Sequence, residues 1–190
     1  MPRAIVLCGS PRKGGNTDLM ADAFTEGARQ TGAEVEKVYL DDLWIRPIAE
    51  VADVPEMRVD LRQDDDARRL LDRVLAADIV LFAAPVYWQG VPAQIKAFVD
   101  RWACYWGQQG FREAMGRKVF AVVTAHASPE AQEGDWVINQ VRAWADFLGA
   151  RFVGSARFGG CEKGAVARSK DVLEQCRELG REASRVTAEV

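Results

Sequence analysis

The chain has 190 residues, 48% of them hydrophobic and 9% aromatic, enough apolar material for one core and a single domain over residues 1–190. Its 25 Lys and Arg against 28 Asp and Glu leave a formal charge of −3, which argues against a nucleic-acid binder with a dedicated basic face. Four scattered cysteines (Cys8, Cys104, Cys161 and Cys176), a short apolar run before Gly9 and no stretch of roughly 18 apolar residues exclude a disulfide framework, a signal-peptide core and a membrane span, so a soluble cytoplasmic protein without a membrane partner is expected. Residues 4–8 form a continuous apolar run, the pattern of a strand buried on both faces of a parallel sheet. After the loop at 9–17, Leu19, Met20, Ala23, Phe24 and Gly27 recur at helical spacing, with Asn16 or Thr17 as N-cap and Gly32 as the stop. A weaker strand follows at 35–40.

From residue 41 to 59 the periodicity dissolves into a long loop, a length uncommon without a function. Acids at 64–66 precede Leu70, Leu71, Val74 and Leu75, which reads as helix capping on a solvated face. Residues 78–84 are the clearest buried strand. Pro85 ends it, and a helix over 91–102 carries Pro92 in its first turn and Ile95, Phe98, Val99 and Trp102 on its apolar face. Further strands are expected at 118–124 and 151–155, with helices at 135–148 and from 170 to about 188. Strand and helix alternate five times, the signature of a doubly wound α/β parallel sheet. In such sheets ligands bind at the carboxyl ends of the strands. Residues 9–17, 85–90 and 124–128 occupy those ends and should converge.

The first of these loops reads Gly9-Ser10-Pro11-Arg12-Lys13-Gly14-Gly15-Asn16-Thr17. Spacing separates the chemistries that use a loop in this place. A triphosphate P-loop requires Lys and Ser or Thr where Gly15 and Asn16 stand. The dinucleotide fingerprint fails at Pro11, and a nucleophile elbow would need glycines at Cys8 and Arg12. A phosphatase Cys-x5-Arg loop counted from Cys8 reaches Gly14, with Arg12 two residues early, so Cys8 reads as a small buried residue. What remains is a phosphomonoester cradle: hydroxyls from Ser10 and Thr17, the Asn16 amide, backbone N–H groups at 14–17 and a charge-assisted bond from Arg12.

These residues resemble the phosphate loop of the flavodoxin-like NAD(P)H-dependent FMN reductases, especially the branch containing the iron–sulfur flavoproteins and NAD(P)H quinone oxidoreductases. The stretch from Ala84 to Arg101, which opens Ala84-Pro85-Val86-Tyr87-Trp88-Gln89-Gly90-Val91-Pro92, is similar to that branch's second signature. The resemblance implies a three-layer flavodoxin-like fold with five parallel strands in the order 2-1-3-4-5. It implies FMN as cofactor, NAD(P)H as co-substrate, and a quinone, flavin, azo or nitroaromatic compound as the small-molecule electron acceptor in a ping-pong cycle. Ser10, Arg12, Gly15, Asn16 and Thr17 would hold the phosphate. Pro85, Val86, Tyr87, Trp88, Gln89 and Gly90 would line the ring, with backbone donors from 88–90, and Thr124, Ala125 and His126 would meet its pyrimidine end.

His126, the only histidine, reads as an exposed loop residue, and no protein acid or base is expected in the hydride step because the cofactor carries that chemistry. Residues 41–66 hold no cysteine, a departure from the iron–sulfur branch that speaks against a cluster there. Trp102, Tyr105 and Trp106 fall where related reductases border a dimer interface and the open flavin face, so a homodimer is expected. A non-catalytic electron carrier of flavodoxin type, or a regulatory protein using the sheet without flavin, remains open at this point.

Overall fold

The computed structural model describes residues 1–48, 64–128 and 132–187. The first strand, β1 (Arg3–Cys8), lies in a parallel sheet between β2 (Glu34–Tyr39) and β3 (Ile79–Ala83). Beyond β3 come β4 (Val119–His126) and β5 (Arg151–Gly159), giving the order β2-β1-β3-β4-β5. This is the flavodoxin-like arrangement, with helices on both faces.

Period-two alternation sends Ala4, Val6 and Cys8 to one face of the sheet and Ile5 and Leu7 to the other. The first face packs on α1 (Asn16–Gln30) and α6 (Lys170–Thr187). The second packs on α2 (Ala67–Ala76), α3 (Ala93–Arg101), α4 (Phe111–Gly116) and α5 (Gln132–Leu148). Because both faces are covered, β1, β3 and β4 have no polar side to show, which is why they read as unbroken apolar runs. On the second face Phe82 sits edge-to-face on Phe120 at 5.4 Å and on Trp144 at 5.6 Å. Each such pair adds about 0.5–1.5 kcal/mol beyond area burial.

Helices α1 and α6 approach closely because each is glycine at the crossing. A Cβ on Gly27 would land on the Arg177 carbonyl, and one on Gly180 on the Phe24 carbonyl. At the opposite end of the sheet from the loops, buried Lys118 donates to the carbonyls of Leu75 (3.0 Å) and Ala77 (2.6 Å) at the end of α2. A cation there is favoured by the negative end of the helix dipole. Burial nevertheless pushes its ammonium down to about 8.

Four expectations change. The strand expected at 151–155 runs on to Gly159, and α4 is a short helix that the pattern did not show. Asp65 is not on a solvated face: it and Arg101 are both buried, paired at 2.5 Å, and Asp65 also accepts the N–H groups of Arg46 (3.0 Å) and Ala67 (3.1 Å). The pair ties the start of α2 to the end of α3. Tyr105 is likewise buried, against Phe111, so only Trp106 of that aromatic group reaches the surface, where it stacks on Phe147 at 4.8 Å. The loop expected at 41–59 lies outside the described residues from 49 onward.

Candidate functional site

Three backbone hydrogen bonds lace the carboxyl edge of the sheet together. Gly9 N–H donates to Ala83 O (2.9 Å), Val86 N–H to Ala125 O (2.8 Å) and Gly160 N–H to His126 O (2.7 Å). The loops after β1, β3, β4 and β5 therefore form one continuous rim. The three stretches expected to converge, 9–17, 85–90 and 124–128, all lie on it.

In the first loop the turn closes through Gly15 N–H to Arg12 O at 2.9 Å, and Gly15 then serves as the N-cap of α1 with no side-chain cap. A Cβ at Gly15 would come within 2.8 Å of that same carbonyl, so the turn needs glycine. The first-turn N–H groups of Asn16, Thr17 and Asp18 have no helical acceptor and point out of the helix end. That is the arrangement an anion uses. Ser10 is buried; its Oγ accepts Arg12 N–H at 3.1 Å and keeps its own proton to donate. Thr17 is buried at the start of the helix. Arg12 is exposed and makes no ion pair with any described residue.

A carboxylate stands close to this helix end, and the chain neutralises it. Asp18 accepts Gly14 N–H at 2.6 Å and pairs with Lys37 at 2.5 Å, while Lys37 also pairs with Asp22 at 2.5 Å. Burial works to raise the Asp18 carboxyl, but the bonds from Lys37 and Gly14 outweigh it and hold it below the usual carboxylate range. Lys13 is spent on Asp42, at 2.9 and 2.7 Å. The Cys8 thiol beneath the loop is pushed up to about 12 by burial, so it is no thiolate nucleophile.

The side chain of Asn16 does something the sequence did not suggest. Its Nδ2 donates to the carbonyls of Gly160 (3.0 Å) and Glu162 (2.9 Å), and its Oδ1 accepts Val166 N–H (3.1 Å). The amide straps the loop after β5 onto the start of α1, leaving Asn16 only its backbone N–H for an anion.

The second loop is a two-residue turn. Tyr87 and Gly90 exchange both backbone bonds, at 3.0 and 3.1 Å, and the central residues Trp88 (φ 48°) and Gln89 (φ 61°) are left-handed. This is the geometry of a type I′ turn, which normally carries Asn and Gly. Gly90 N–H is consumed inside the turn, so the available donors are Trp88 and Gln89, not all of 88–90. Trp88 is completely exposed, at 102% of its reference area, and Tyr87 is 42% exposed. Pro85 and Val86 are half-buried below them. From α5, Gln140 Oε1 accepts Val91 N–H at 3.4 Å and steadies the far side of the turn.

At the end of β4, Thr124 and His126 lie under the start of α5, each 3.3 Å from where Gly134 would carry a Cβ. His126 is buried, not exposed, because β4 extends through it. Its Nδ1 lies 2.8 Å from Ser128 O, and since a carbonyl only accepts, Nδ1 carries the proton. The Thr124 hydroxyl is buried with no partner among the described residues, and Ala125 is buried beside it. Among the described residues no group of three or more His, Cys, Asp or Glu is placed to hold a metal, and no helix is long and apolar enough to cross a membrane.

A doubly wound sheet whose carboxyl rim joins an open helix N-terminus to a turn with exposed aromatics and free backbone donors defines a flavodoxin-like protein. The site fits a phosphomonoester carrying a flat heterocycle. The chain belongs to the NADPH-dependent FMN reductase family, whose model matches residues 2–164. It is 27% identical over 177 residues to a Bacillus subtilis (strain 168) protein that carries the name NAD(P)H-dependent FMN-containing oxidoreductase YwqN, covering 92% of this chain and 94% of that one. An iron–sulfur flavoprotein of Methanosarcina thermophila is 30% identical over 155 residues, covering 81% and 78%. Among solved structures, the Trp repressor binding protein from Bacillus subtilis superposes with a TM-score of 0.70 at 26% identity, covering 93% of this chain and 98% of that one.

Proposed function

We propose that this member of the family holds FMN on the carboxyl rim and uses it to pass electrons from NAD(P)H to a planar acceptor such as a quinone, flavin, azo compound or nitroaromatic. The observation that carries the reading is the rim itself: one helix N-terminus and one aromatic-bearing turn are locked side by side by the Gly9–Ala83 and Val86–Ala125 bonds. FMN, when bound, supplies the two-electron chemistry, taking hydride from the nicotinamide and releasing electrons to the acceptor.

The chain's part is positional. Ser10 Oγ–H, the N–H groups of Asn16 and Thr17, and the Arg12 guanidinium would hold the phosphate, with Gly15, whose own N–H is spent on Arg12 O, shaping the turn that presents them. Trp88 and Gln89 N–H would meet the polar edge of the ring, with Pro85, Val86 and Tyr87 covering one face and Gly90 closing the turn. Thr124, Ala125 and His126 would bound its pyrimidine end, with His126 offering an unprotonated Nε2 in its neutral form. No side chain is assigned a proton in the hydride step. With no cysteine in residues 41–66, electrons leave to a soluble acceptor, not to a cluster in that loop. The exposed Trp136 (57%) and Phe147 (73%) on α5 supply a face for a second copy, and a cytoplasmic homodimer completes the reading.

The test is the visible spectrum of the purified chain, reconstituted with FMN and then mixed with NADPH or NADH under nitrogen. Flavin bands that bleach, and recover on adding menadione, are the expected outcome. No bound flavin after reconstitution refutes the reading. Flavin that stays oxidised makes the protein an electron carrier.

A further inference from the structure

A phosphomonoester carries roughly −1.5 to −2 charges near neutral pH, and a single guanidinium leaves part of that unanswered. The loop after β1 and the loop after β5 together carry four cations: Arg12, Lys13, Lys163 and Arg168. Two are already committed. Lys13 is paired with Asp42 at 2.7 Å, and Arg168 with Glu162 at 2.8 Å. Arg12 and Lys163 make no ion pair with any described residue.

Lys163 is far from Arg12 in sequence but its loop lies against the cradle. A Cβ built on Gly14 would be 3.9 Å from Lys163 Cε, and one on Gly164 would be 3.6 Å from Gly14 O. The two loops are therefore in van der Waals contact. They are held in register by the three Asn16 bonds to Gly160, Glu162 and Val166, which bracket Lys163 on both sides. The one carboxylate buried beside the cradle, Asp18, is neutralised by Lys37, so it does not draw Lys163 away.

We infer that Lys163 is the second cation of the phosphate site, delivered by the loop after β5 and positioned by the Asn16 side chain. This rests on the reading that the loop after β1 holds a flavin phosphate. The site takes a phosphomonoester dianion between the Arg12 guanidinium and the Lys163 ammonium, with the first turn of α1 beneath it.

The experiment compares FMN with riboflavin, which lacks the phosphate, on the full chain freed of bound flavin. Dissociation constants are measured by quenching of flavin fluorescence at low and high salt. Lys163→Met should weaken FMN about tenfold, the scale of one partly exposed charge-assisted bond. It should leave riboflavin unchanged and flatten the salt dependence of FMN binding. Lys163→Arg should retain most of the affinity, and Arg12→Ala should move FMN in the same direction as Lys163→Met. In an Asn16→Ala background, Lys163→Met should cost less than it does alone, since the strap that aims it is gone. FMN affinity unchanged by Lys163→Met, with wild type still preferring FMN over riboflavin, overturns the role of Lys163 and leaves the phosphate reading intact. Equal loss of both flavins makes Lys163 a structural residue of the loop. Wild-type chain that binds FMN no tighter than riboflavin overturns both.

Discussion

Replacing Trp88-Gln89 by Asn-Gly should make the protein more stable. Both residues stand in the left-handed region, at φ 48° and 61°, where an L-residue with a bulky side chain pays about 1–2 kcal/mol. Asn tolerates that region and Gly is at home there, so the double variant removes roughly 2–3 kcal/mol of strain. Glycine returns about 0.5–1 kcal/mol through the greater freedom of the unfolded chain. Nothing is lost by deleting the indole, since Trp88 buries none of its surface. The net gain is about 1–2 kcal/mol, read as a higher urea midpoint with unchanged slope, or a rise of about 2–8 °C in Tm at roughly 2–4 °C per kcal/mol for a chain of this size. The measurement is made without flavin, so that ligand binding does not add to it. FMN affinity should change little, because the donors at 88 and 89 are backbone. A midpoint equal to or below wild type would refute the argument that this turn stores strain.

Two further outcomes follow from packing and burial. Gly180→Ala should destabilise the chain by about 2 kcal/mol or more, because the added methyl meets the Phe24 carbonyl on α1 and the helices must separate; an unchanged denaturation midpoint would mean that the crossing is looser than described. Lys118 is about 8 in the folded chain against an ordinary 10.5, so the native state sheds this proton first and the unfolded state binds more protons between those values. Stability should therefore rise between about pH 8 and 9, by on the order of 1 kcal/mol at about 1.4 kcal/mol per unit, before the buried Cys8 and Cys176 thiols, held up to about 12 against an ordinary 9.0, turn the trend downward; Lys118→Met should remove that rise in pH-dependent urea titrations.

The parts of the fold that local physics decides were legible in the chain. Residues 4–8, 78–84 and 118–124 are apolar throughout because two helical layers cover them, and that alone marked them as central parallel strands. The loop of Gly9 to Thr17 was legible because its small residues and hydroxyls have no use in a plain turn. What stayed hidden depends on partners far away in sequence. Asp65 looked like one acid among three until Arg101, 36 residues on, was seen to bury it. Asn16 looked like a ligand for phosphate, yet its amide is committed to residues 160–166. His126 looked exposed because Ala127 and Ser128 suggest a turn, whereas β4 continues through it beneath α5. The left-handed pair at 88 and 89 had no sequence signal at all, since neither residue is one that such a turn prefers.

The Asn16 strap also sets an order of events. Its bonds to Gly160 and Val166 span 144 and 150 residues, and α1, which carries the first-turn donors, leans on α6 through Gly27 and Gly180. Synthesis runs from the N- to the C-terminus, so the glycine-rich loop is made 144 to 150 residues before the residues that clasp it. A nascent chain thus exposes the loop long before it can close it. Chains cut short before residue 160 would keep the glycine-rich loop in their sequence and still leave it unclasped.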